Sequence, residues 1–442
     1  IPGLEELAGK QYRSNYILEE RHTDQIDYNF AASVQHEMRN DMRILGGVNL
    51  RANRTWYYDE IKDLMGGDYW YDIDKFAERD MSSTLAAQND LDYYEATGHA
   101  RIAREGDKFS YNYRAHLFEG NAWALYSWRT GGFSMSVAGE LGYSSMYREG
   151  LWRKGLFPNN SKGDSKTLDY LTYTAKGYKF SRAHSLEANV AVMQQAPKFA
   201  TAFVSPRTRN TTTPGLKAEK IFGVDLTYNL NLPYVKARVS GYYTTFEDQS
   251  KVISFYDDTR SSFTNFAMSG IDKRHYGLEL GLSVPVWNGL SVVGALSWGD
   301  YTYTSNPDFV QTVDNVDKIV LRDKVSWDGY HVESTPQLAL NVGLDYRGPQ
   351  NWFASVNFNY YDDLYLSMNP MYRTAKAIEY YTNILSSSTS TTEQQVSALR
   401  SIKTIRAQER FDGVYTLSAS VGKNWYIRRD YMLGFSLEVK NI

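Results

Sequence analysis

Apolar residues occupy every second position in one segment of this chain after another. In one such segment they are Phe222, Val224, Leu226, Tyr228 and Leu230. Side chains of a β-strand point alternately to its two faces, so the pattern indicates one apolar face and one polar face. The recurring pattern predicts fourteen strands, at 26–38, 41–56, 108–129, 132–147, 166–178, 183–195, 217–230, 234–248, 272–285, 289–304, 334–347, 351–366, 411–425 and 430–441.

The connections between the predicted strands alternate in length. The short ones are Arg39-Asn40, Thr130-Gly131, 179–182, 231–233, 286–288, 348–350 and 426–429. The long ones are 57–107, 148–165, 196–216, 249–271, 305–333 and 367–410. In an up-and-down sheet, all short turns then fall at one end and all long loops at the other. Loops beyond about 12–15 residues are uncommon in compact soluble domains, whereas outer-membrane barrels combine short periplasmic turns with long extracellular loops.

Strand length separates this pattern from that of a soluble β-sandwich or propeller. Most of the predicted strands have 12–16 residues, against roughly 5–6 in globular sheets. Ten residues tilted near 45° cross about 24 Å, close to the apolar band of an outer membrane. We therefore predict an all-β fold, a transmembrane antiparallel up-and-down β-barrel. The alternation loses its phase near Gly120, which predicts a bulge there.

The composition excludes several other classes of protein. Mean hydropathy is −0.51, and no apolar run approaches the roughly 18 residues of a membrane-spanning helix. The 442-residue chain carries a net charge of −3, so a nucleic-acid partner, which needs a basic face, is not expected. The absence of cysteine excludes disulfide scaffolds, cysteine-ligated zinc and thiol nucleophiles.

The two ends of the predicted sheet raise the question of closure. Single-chain bacterial barrels have even strand numbers and keep both termini on the periplasmic side. Here residues 1–25 lead in from the loop side, and the chain ends on that side as well. An open edge in lipid leaves unpaired amides, which are costly. We therefore expect an extracellular loop segment at 1–25 and a partial transmembrane barrel domain at 26–442, with further strands before and after it.

Three short segments resemble motifs of TonB-dependent outer-membrane transporters. Thr213-Pro214-Gly215-Leu216-Lys217-Ala218-Glu219 is similar to the family's Asn-Pro-x-Leu-x-Pro-Glu stretch, with Pro214, Leu216 and Glu219 at matching positions. Gln195-Ala196-Pro197 is similar to the family's Arg-x-Pro segment. The C-terminal segment from Leu437 to Ile442 resembles its penultimate strand, and the loops resemble those of Bacteroidetes members. Thr213, Ala218 and Gln195 depart from the family's usual Asn, Pro and Arg.

The resemblance, which spans about residues 26–442, implies a location and a function. Members are 22-stranded barrels of the bacterial outer membrane around an N-terminal plug with a TonB box, so these strands would be numbers 8 to 21. The implied function is TonB-dependent active import of a nutrient, without a cofactor, driven through the plug by TonB, ExbB and ExbD. The cargo classes are siderophore, haem, vitamin, oligosaccharide and peptide, and a SusD-like surface lipoprotein is an optional partner. The alternative is a passive porin-like or structural barrel.

A loop rich in aromatic residues is the candidate ligand-binding segment. Residues 56–79 contain Trp56, Tyr57, Tyr58, Tyr69, Trp70 and Tyr71. Exposed rings beside aspartates suit stacking on sugars, peptides or aromatic chelates. Packing of one loop on another explains the same residues equally well.

Metal and catalytic motifs are not evident. The seven histidines show no metal-ligand spacing, and no Gly-x-Ser-x-Gly occurs, so neither a dedicated metal site nor an enzyme is expected. We interpret the scattered aspartates of the loops as charged side chains in contact with water rather than as calcium ligands. In the last long loop, Ser390-x-x-Glu393 resembles a capping box, and apolar residues follow it at a spacing of three. This predicts a short amphipathic helix over the barrel mouth.

Overall fold

Fourteen strands, called here the wall strands, pair in succession to form one antiparallel sheet. The structure is a computed structural model that describes residues 11–39, 41–80, 83–180, 184–258, 261–314, 316–427 and 431–441. The wall strands are β1 Leu18–Arg39, β2 Met42–Asp63, β5 Lys108–Thr130, β6 Phe133–Gly150, β8 Leu168–Phe180, β9 His184–Gln195, β10 Glu219–Leu232, β11 Val235–Asp257, β12 Ser262–Trp287, β13 Leu290–Tyr303, β16 Leu338–Arg347, β17 Trp352–Asp362, β18 Val414–Ile427 and β19 Tyr431–Val439. The shorter strands are β3 Trp70–Tyr71, β4 Ile102–Ala103, β7 Gly163–Asp164, β14 Asp308–Val313 and β15 Val316–Lys324. The number and order of the wall strands confirm the prediction.

Each wall strand pairs with the next one along the chain, as in an up-and-down sheet. Within the described residues, β1 pairs only with β2, and β19 pairs only with β18. Of the hairpins closed by two residues, those at 131–132 and 288–289 contain a glycine with a positive φ angle, Gly131 (53°) and Gly289 (78°), which explains why glycine stands there. The predicted turns at Asn40, 179–182 and 426–429 lie wholly or partly outside the described residues.

The two faces of the sheet differ as the alternation predicts. On β10, Leu226 is 52% exposed, whereas Thr227 is 1% exposed and shares a 2.8 Å hydrogen bond with Ser240 on β11. The polar face carries such links from strand to strand, as in Asn341 Nδ2 to Asn359 Oδ1 at 2.7 Å. A face of apolar side chains left open is stable only against lipid, because water would make that exposure costly. The polar face is therefore the inner one.

Several strand boundaries at the loop end differ from the prediction. β1 begins at Leu18 rather than at 26, so residues 18–25 of the predicted loop segment are strand, while residues 1–10 lie outside the described part. β2 continues to Asp63 rather than 56. β11 and β12 occupy most of the predicted 249–271 loop. Lipid enforces alternation only inside the membrane, so backbone pairing continues beyond it without that pattern.

Three further boundary and bulge predictions are corrected. β16 starts at Leu338 rather than 334, and β17 ends at Asp362 rather than 366, because the adjoining residues fold into the loops. No register shift occurs at Gly120. The irregularity lies instead opposite Tyr58, where Ser110 has a positive φ of 62°.

The long connections fold into a cap on the loop end of the sheet. The cap comprises the described residues of 64–107, 151–167, 196–218, 304–337 and 363–413. Its helices are α1 Lys75–Asp80, α2 Leu91–Thr97, α3 Phe199–Ala202, α4 Glu379–Ser386 and α5 Thr392–Arg406, and its 3₁₀ turns are Pro370–Arg373 and Lys376–Ile378. No helix among the described residues is long and apolar enough to cross a membrane.

The largest apolar core lies at the cap and not in the sheet wall. Phe266, Tyr303, Phe309 and Trp327 are almost fully buried and pack together where β12 and β13 meet the β14–β15 hairpin. The wall itself is one layer thick, so its apolar side chains face outward rather than each other.

The predicted helix in the last long loop is confirmed as α5, with a correction to its cap. The capping box is formed by Thr391 and Gln394, one residue beyond the predicted pair, because the Thr391 hydroxyl accepts from Gln394 N and the Gln394 side chain accepts from Thr391 N. At the other end, the Arg373 guanidinium donates to the carbonyl oxygens of Ile405 and Ala407. These bonds satisfy backbone groups at both helix ends.

Candidate functional site

A cavity of about 1040 Å³ lies on the inner face of the sheet, where the wall strands reach the cap. Inward residues of β1, β2, β5, β6 and β8 form one side, and segment 196–201 with parts of β10 and β11 forms the other. Its charged members are Arg51, Glu119, Glu140, Lys198, Lys217, Glu219, Asp248, Lys251 and Lys273. With both signs of charge on its walls, the cavity suits a polar ligand that makes many hydrogen bonds.

Arg51 links three neighbouring strands on the wall of this cavity. Its guanidinium donates to both carboxylate oxygens of Asp27 on β1, at 2.9–3.1 Å, and to Glu119 Oε2 on β5 at 3.3 Å. A planar guanidinium is suited to such paired contacts with carboxylates. The charge of Arg51 is thereby fixed in place and partly open to the cavity.

Glu219 occupies the opposite side of the cavity and joins the two segments that resemble family motifs. It stands directly across from Gln195 in the β9–β10 register, and Gln195 Nε2 donates to Glu219 Oε2 at 2.8 Å. Gln249 of β11 also donates to the Glu219 carboxylate. The segments around Gln195 and Glu219 are therefore partners in space, and a neutral amide here replaces the usual arginine.

The other two motif positions anchor the loop rather than line the cavity. The Pro214 carbonyl accepts a 2.8 Å hydrogen bond from Ser269 Oγ of β12. Leu216 packs against a buried cluster that contains Met146 and Phe203. Their position indicates that this segment sets where β10 enters the wall.

The first three aromatic candidates lie on β2 and not in a loop. Trp56 Nε1 donates to Asn112 Oδ1 at 2.5 Å, and Lys108 lies over the Trp56 ring at 4.5 Å. Tyr57 stacks on Tyr113 with ring centroids 5.0 Å apart. Tyr58 is 7% exposed and donates to a carboxylate of β1. These rings already have partners within the described structure.

The other three aromatic candidates form the core of the cap. Tyr69 and Tyr71 are 5% and 6% exposed and pack edge to face, with Ile73 beside them. Trp70 is half-buried, with Lys75 over its ring at 5.2 Å. The predicted exposure is therefore wrong for Tyr58, Tyr69 and Tyr71, because loops pack on one another here. None of the six aromatic residues borders the 1040 Å³ cavity, and their ligand role stays a prediction.

A buried polar network locks two loops of the cap together. Asp72 accepts from Asn89 Nδ2 and from the Ser110 amide, both at 2.8 Å, and Lys154 Nζ donates to Asn89 Oδ1 at 2.9 Å. Lys154 also donates to the Ser110 carbonyl. Burial raises the pKa of the Asp72 carboxyl and lowers the pKa of Lys154 to about 8. Removal of one member would leave a buried polar group unpaired.

Among the residues of the cavity, Glu219 is the one that the sequence predicted as a site residue, and Gln195-Ala196-Pro197 were identified only as a segment similar to a family motif. The others come from nine separate strands and one loop, and their main signal is an inward position in the alternation. An inward position predicts that a side chain faces the lumen. It does not predict which inward side chains lie at the same height of the wall.

These features define an outer-membrane β-barrel with a polar lumen and a folded extracellular cap. The model of a family described as "TonB dependent receptor-like, beta-barrel" matches residues 5–442. This chain belongs to that family, whose members are outer-membrane transporters and receptors. No curated protein matches it, and the likeness of its loops to Bacteroidetes members stays a prediction.

Solved structures of transporters share the fold at low sequence identity. The copper transporter OprC has a TM-score of 0.60 at 14% identity, over 96% of this chain and 51% of that one. The apoprotein of the FrpB iron transporter from Neisseria meningitidis, F5-1 variant, gives 0.53 at 14%, over 95% and 52%. The unliganded ferric citrate transporter FecA gives 0.52 at 11%, over 96% and 50%. This chain thus spans about half the length of the solved structures that it matches.

Proposed function

We propose that this chain is the barrel wall of an active importer that carries a nutrient across the outer membrane in a TonB-dependent cycle. The observation that supports this most directly is the large polar cavity on the inner face, beneath a folded cap, in a chain of the TonB-dependent receptor family. The cap limits access from outside, and the cavity offers a ligand hydrogen-bond partners on its way inward.

Residues of opposite charge contribute to binding from two sides of the cavity. Arg51, held by two carboxylates, presents positive charge from β2. Glu219, held by two glutamine amides, presents negative charge from β10. A ligand with both donors and acceptors is held between them. Siderophore, haem, vitamin, oligosaccharide and peptide cargoes remain candidates, and no covalent step or cofactor is part of the proposal.

The proposed partners follow from this cycle. TonB, energised by ExbB and ExbD, would act on a plug domain inside the barrel. Lipid covers the apolar outer face, on which Leu226 and its neighbours in the same row are exposed. A SusD-like surface lipoprotein is an optional partner at the cap. The six aromatic residues of 56–71 serve in this proposal as supports of the cap, with Trp56 and Trp70 open enough for direct contact.

The second candidate function is a passive porin-like or structural barrel. Both candidates share the lipid-facing wall, so the structure of the wall does not separate them. They differ in the need for energy, because a passive pore equilibrates its solute without TonB.

Uptake by cells that carry the whole protein tests the proposal. We expect accumulation of one labelled cargo from a panel of ferric siderophores, haem, cobalamin, oligosaccharides and peptides in tonB⁺ cells, and loss of accumulation in tonB-null cells. Arg51→Gln should weaken uptake without lowering the amount of protein in the membrane. Arg54→Gln, which changes an exposed arginine on the outer face of the same strand, is the matched control. Equal uptake in both strains would instead support the passive barrel.

A further inference from the structure

Two glutamates of like charge lie directly opposite each other near the extracellular ends of β1 and β2. Glu20 and Glu60 are partners in the antiparallel register. Side chains in this relation have Cβ atoms about 4.5–5.5 Å apart, and like charges placed so destabilise the pairing of strands. A cation held between the two carboxylates removes that cost.

A histidine stands beside this pair on the same face. His22 follows Glu20 by two residues, which returns its side chain to the same side of the strand. The ring stacks on Tyr58 with centroids 4.7 Å apart and planes within 3° of parallel. Its Nε2 atom is shielded from solvent, has no hydrogen-bond partner, and lies 3.7 Å from Glu20 Oε2. The ring is thus held with an unused nitrogen directed toward the carboxylates.

The three side chains lie on the outer surface of the wall and not in the lumen. The β1–β2 register runs without a shift from Glu20 and Glu60 down to Phe30 and Leu50. Phe30 and Leu50 are exposed members of the apolar face. All four residues therefore share the outward side, with the glutamates above the lipid-covered band. The group is separate from the ligand cavity.

We propose that Glu20, His22 and Glu60 bind a divalent transition-metal ion at the extracellular ends of β1 and β2. One ligand atom from each residue lies within 4.8 Å of the other two. Tetrahedral coordination at 2.0–2.1 Å brings ligand atoms to about 3.4 Å from one another, which small side-chain rotations achieve. Imidazole with two carboxylates suits Zn²⁺ and its neighbours, whereas calcium takes oxygen ligands only. The bound ion would link the extracellular ends of β1 and β2.

Lys62 competes with the metal for one ligand. Its ammonium lies 3.0 Å from Glu20 Oε1, and both side chains are substantially exposed. An exposed ion pair contributes little to stability, about 0–1 kcal/mol. The lysine offsets one of the two negative charges and leaves Glu60 and the imidazole available. Removal of Lys62 should therefore strengthen metal binding.

Spectroscopic titration of the whole protein in detergent with Co²⁺, followed by displacement with Zn²⁺, tests the site. We expect wild-type protein to bind one Co²⁺ that Zn²⁺ displaces and excess Ca²⁺ does not. His22→Gln and Glu60→Gln should each weaken binding at least about tenfold, and Lys62→Met should tighten it. His36→Gln, a change on the outward side of the same strand far from the glutamates, should leave binding unchanged.

Three results would overturn the proposal. They are absence of Co²⁺ binding by the wild-type protein, equal affinity in wild type and His22→Gln, and displacement of Co²⁺ by Ca²⁺ as readily as by Zn²⁺. If a variant that lacks a ligand is poorly folded, Lys62→Met still tests the proposal, because it retains all three proposed ligands. An unchanged or weaker affinity in Lys62→Met would also contradict the proposed competition.

Discussion

An arginine should destabilise one wall strand far more when it is placed on the outer face than when it is placed on the inner face. Leu296 of β13 lies across from Leu280 and Leu340 on the apolar face, and Ala295, the preceding residue, is exposed on the inner face. Leu296 stands six residues above Leu290, where β13 begins. At about 3.3 Å per residue and a 45° tilt it lies about 14 Å up a band about 25 Å tall, near the middle.

Leu296→Arg should therefore lower the free energy of unfolding by about 2–4 kcal/mol, the cost of arginine near the bilayer midplane. This corresponds to a change of about 30- to 700-fold in the unfolding equilibrium. Ala295→Arg should cost under about 1 kcal/mol, because Ala295 borders an inner concavity of about 460 Å³ that already holds Arg238 and Glu279.

Urea unfolding of the whole protein in phosphatidylcholine vesicles, followed by tryptophan fluorescence, measures both free energies. Leu296→Ala separates the loss of the leucine from the burial of charge, and it should cost less than Leu296→Arg. If Ala295→Arg proved the more destabilising arginine, the assignment of the two faces would be reversed and the reasoning refuted.

The remaining predictions concern the cap and the cavity. Asp72→Ala should weaken the cap by about 1–3 kcal/mol, because the Asn89 amide and the Ser110 N–H lose their buried acceptor and Arg101 loses its ion-pair partner. Faster proteolysis of the loops with unchanged wall stability is the expected result, and unchanged proteolysis would contradict it. The pKa of Lys154 is about 8 in the folded cap against 10.5 for an exposed lysine, so the unfolded cap holds more protons between these values. The stability of the cap, measured by its resistance to proteolysis, should then rise with pH across this window in the wild-type protein. In Lys154→Met it should not rise with pH. Thr391→Ala should destabilise α5 by about 1 kcal/mol. Amide hydrogen exchange should then become faster in α5 and stay unchanged in β10. Glu219→Ala leaves two glutamine amides without their acceptor and should reduce cargo uptake at an unchanged protein level. Normal uptake by this variant would show that Glu219 does not contact the ligand.

The wall of the barrel could be predicted from the sequence because lipid imposes one simple rule on it. Every residue between Phe222 and Leu230 obeys the alternation, and the polar members find partners across the strands, as Thr227 does with Ser240. The number of wall strands and the placement of the long loops at one end followed from the same rule.

The extracellular ends could not be predicted in this way, because lipid does not constrain them. β2 runs on to Asp63 and β12 starts at Ser262, where the pattern of side chains is irregular. Tyr69 and Tyr71 resemble an exposed aromatic loop in the sequence, yet they are buried by contacts with Ala100 and Ile102 of a distant segment. Exposure of a loop residue depends on packing that local sequence does not encode.

The groupings of polar residues depend on register, which spacing along the chain does not reveal. Glu219 and Gln195 are 24 residues apart and meet only because β9 and β10 pair at that offset. In the same way, Glu20 and His22 show no metal motif until β2 brings Glu60 beside them. For this reason the spacing of residues along the chain does not reveal this group.

The central claim is that the apolar face of the wall lies in lipid and the polar face lines the lumen of an outer-membrane barrel. The chain has no cysteine of its own, so single spin labels at Asn341, Val342, Leu344 and Asp345 of β16 report on each face in turn. In the whole protein in bilayers, labels at Val342 and Leu344 should be accessible to oxygen and shielded from a water-soluble nickel complex, with the reverse at Asn341 and Asp345. Access of the nickel complex to all four positions, or oxygen preference at Asn341 and Asp345, would contradict the account.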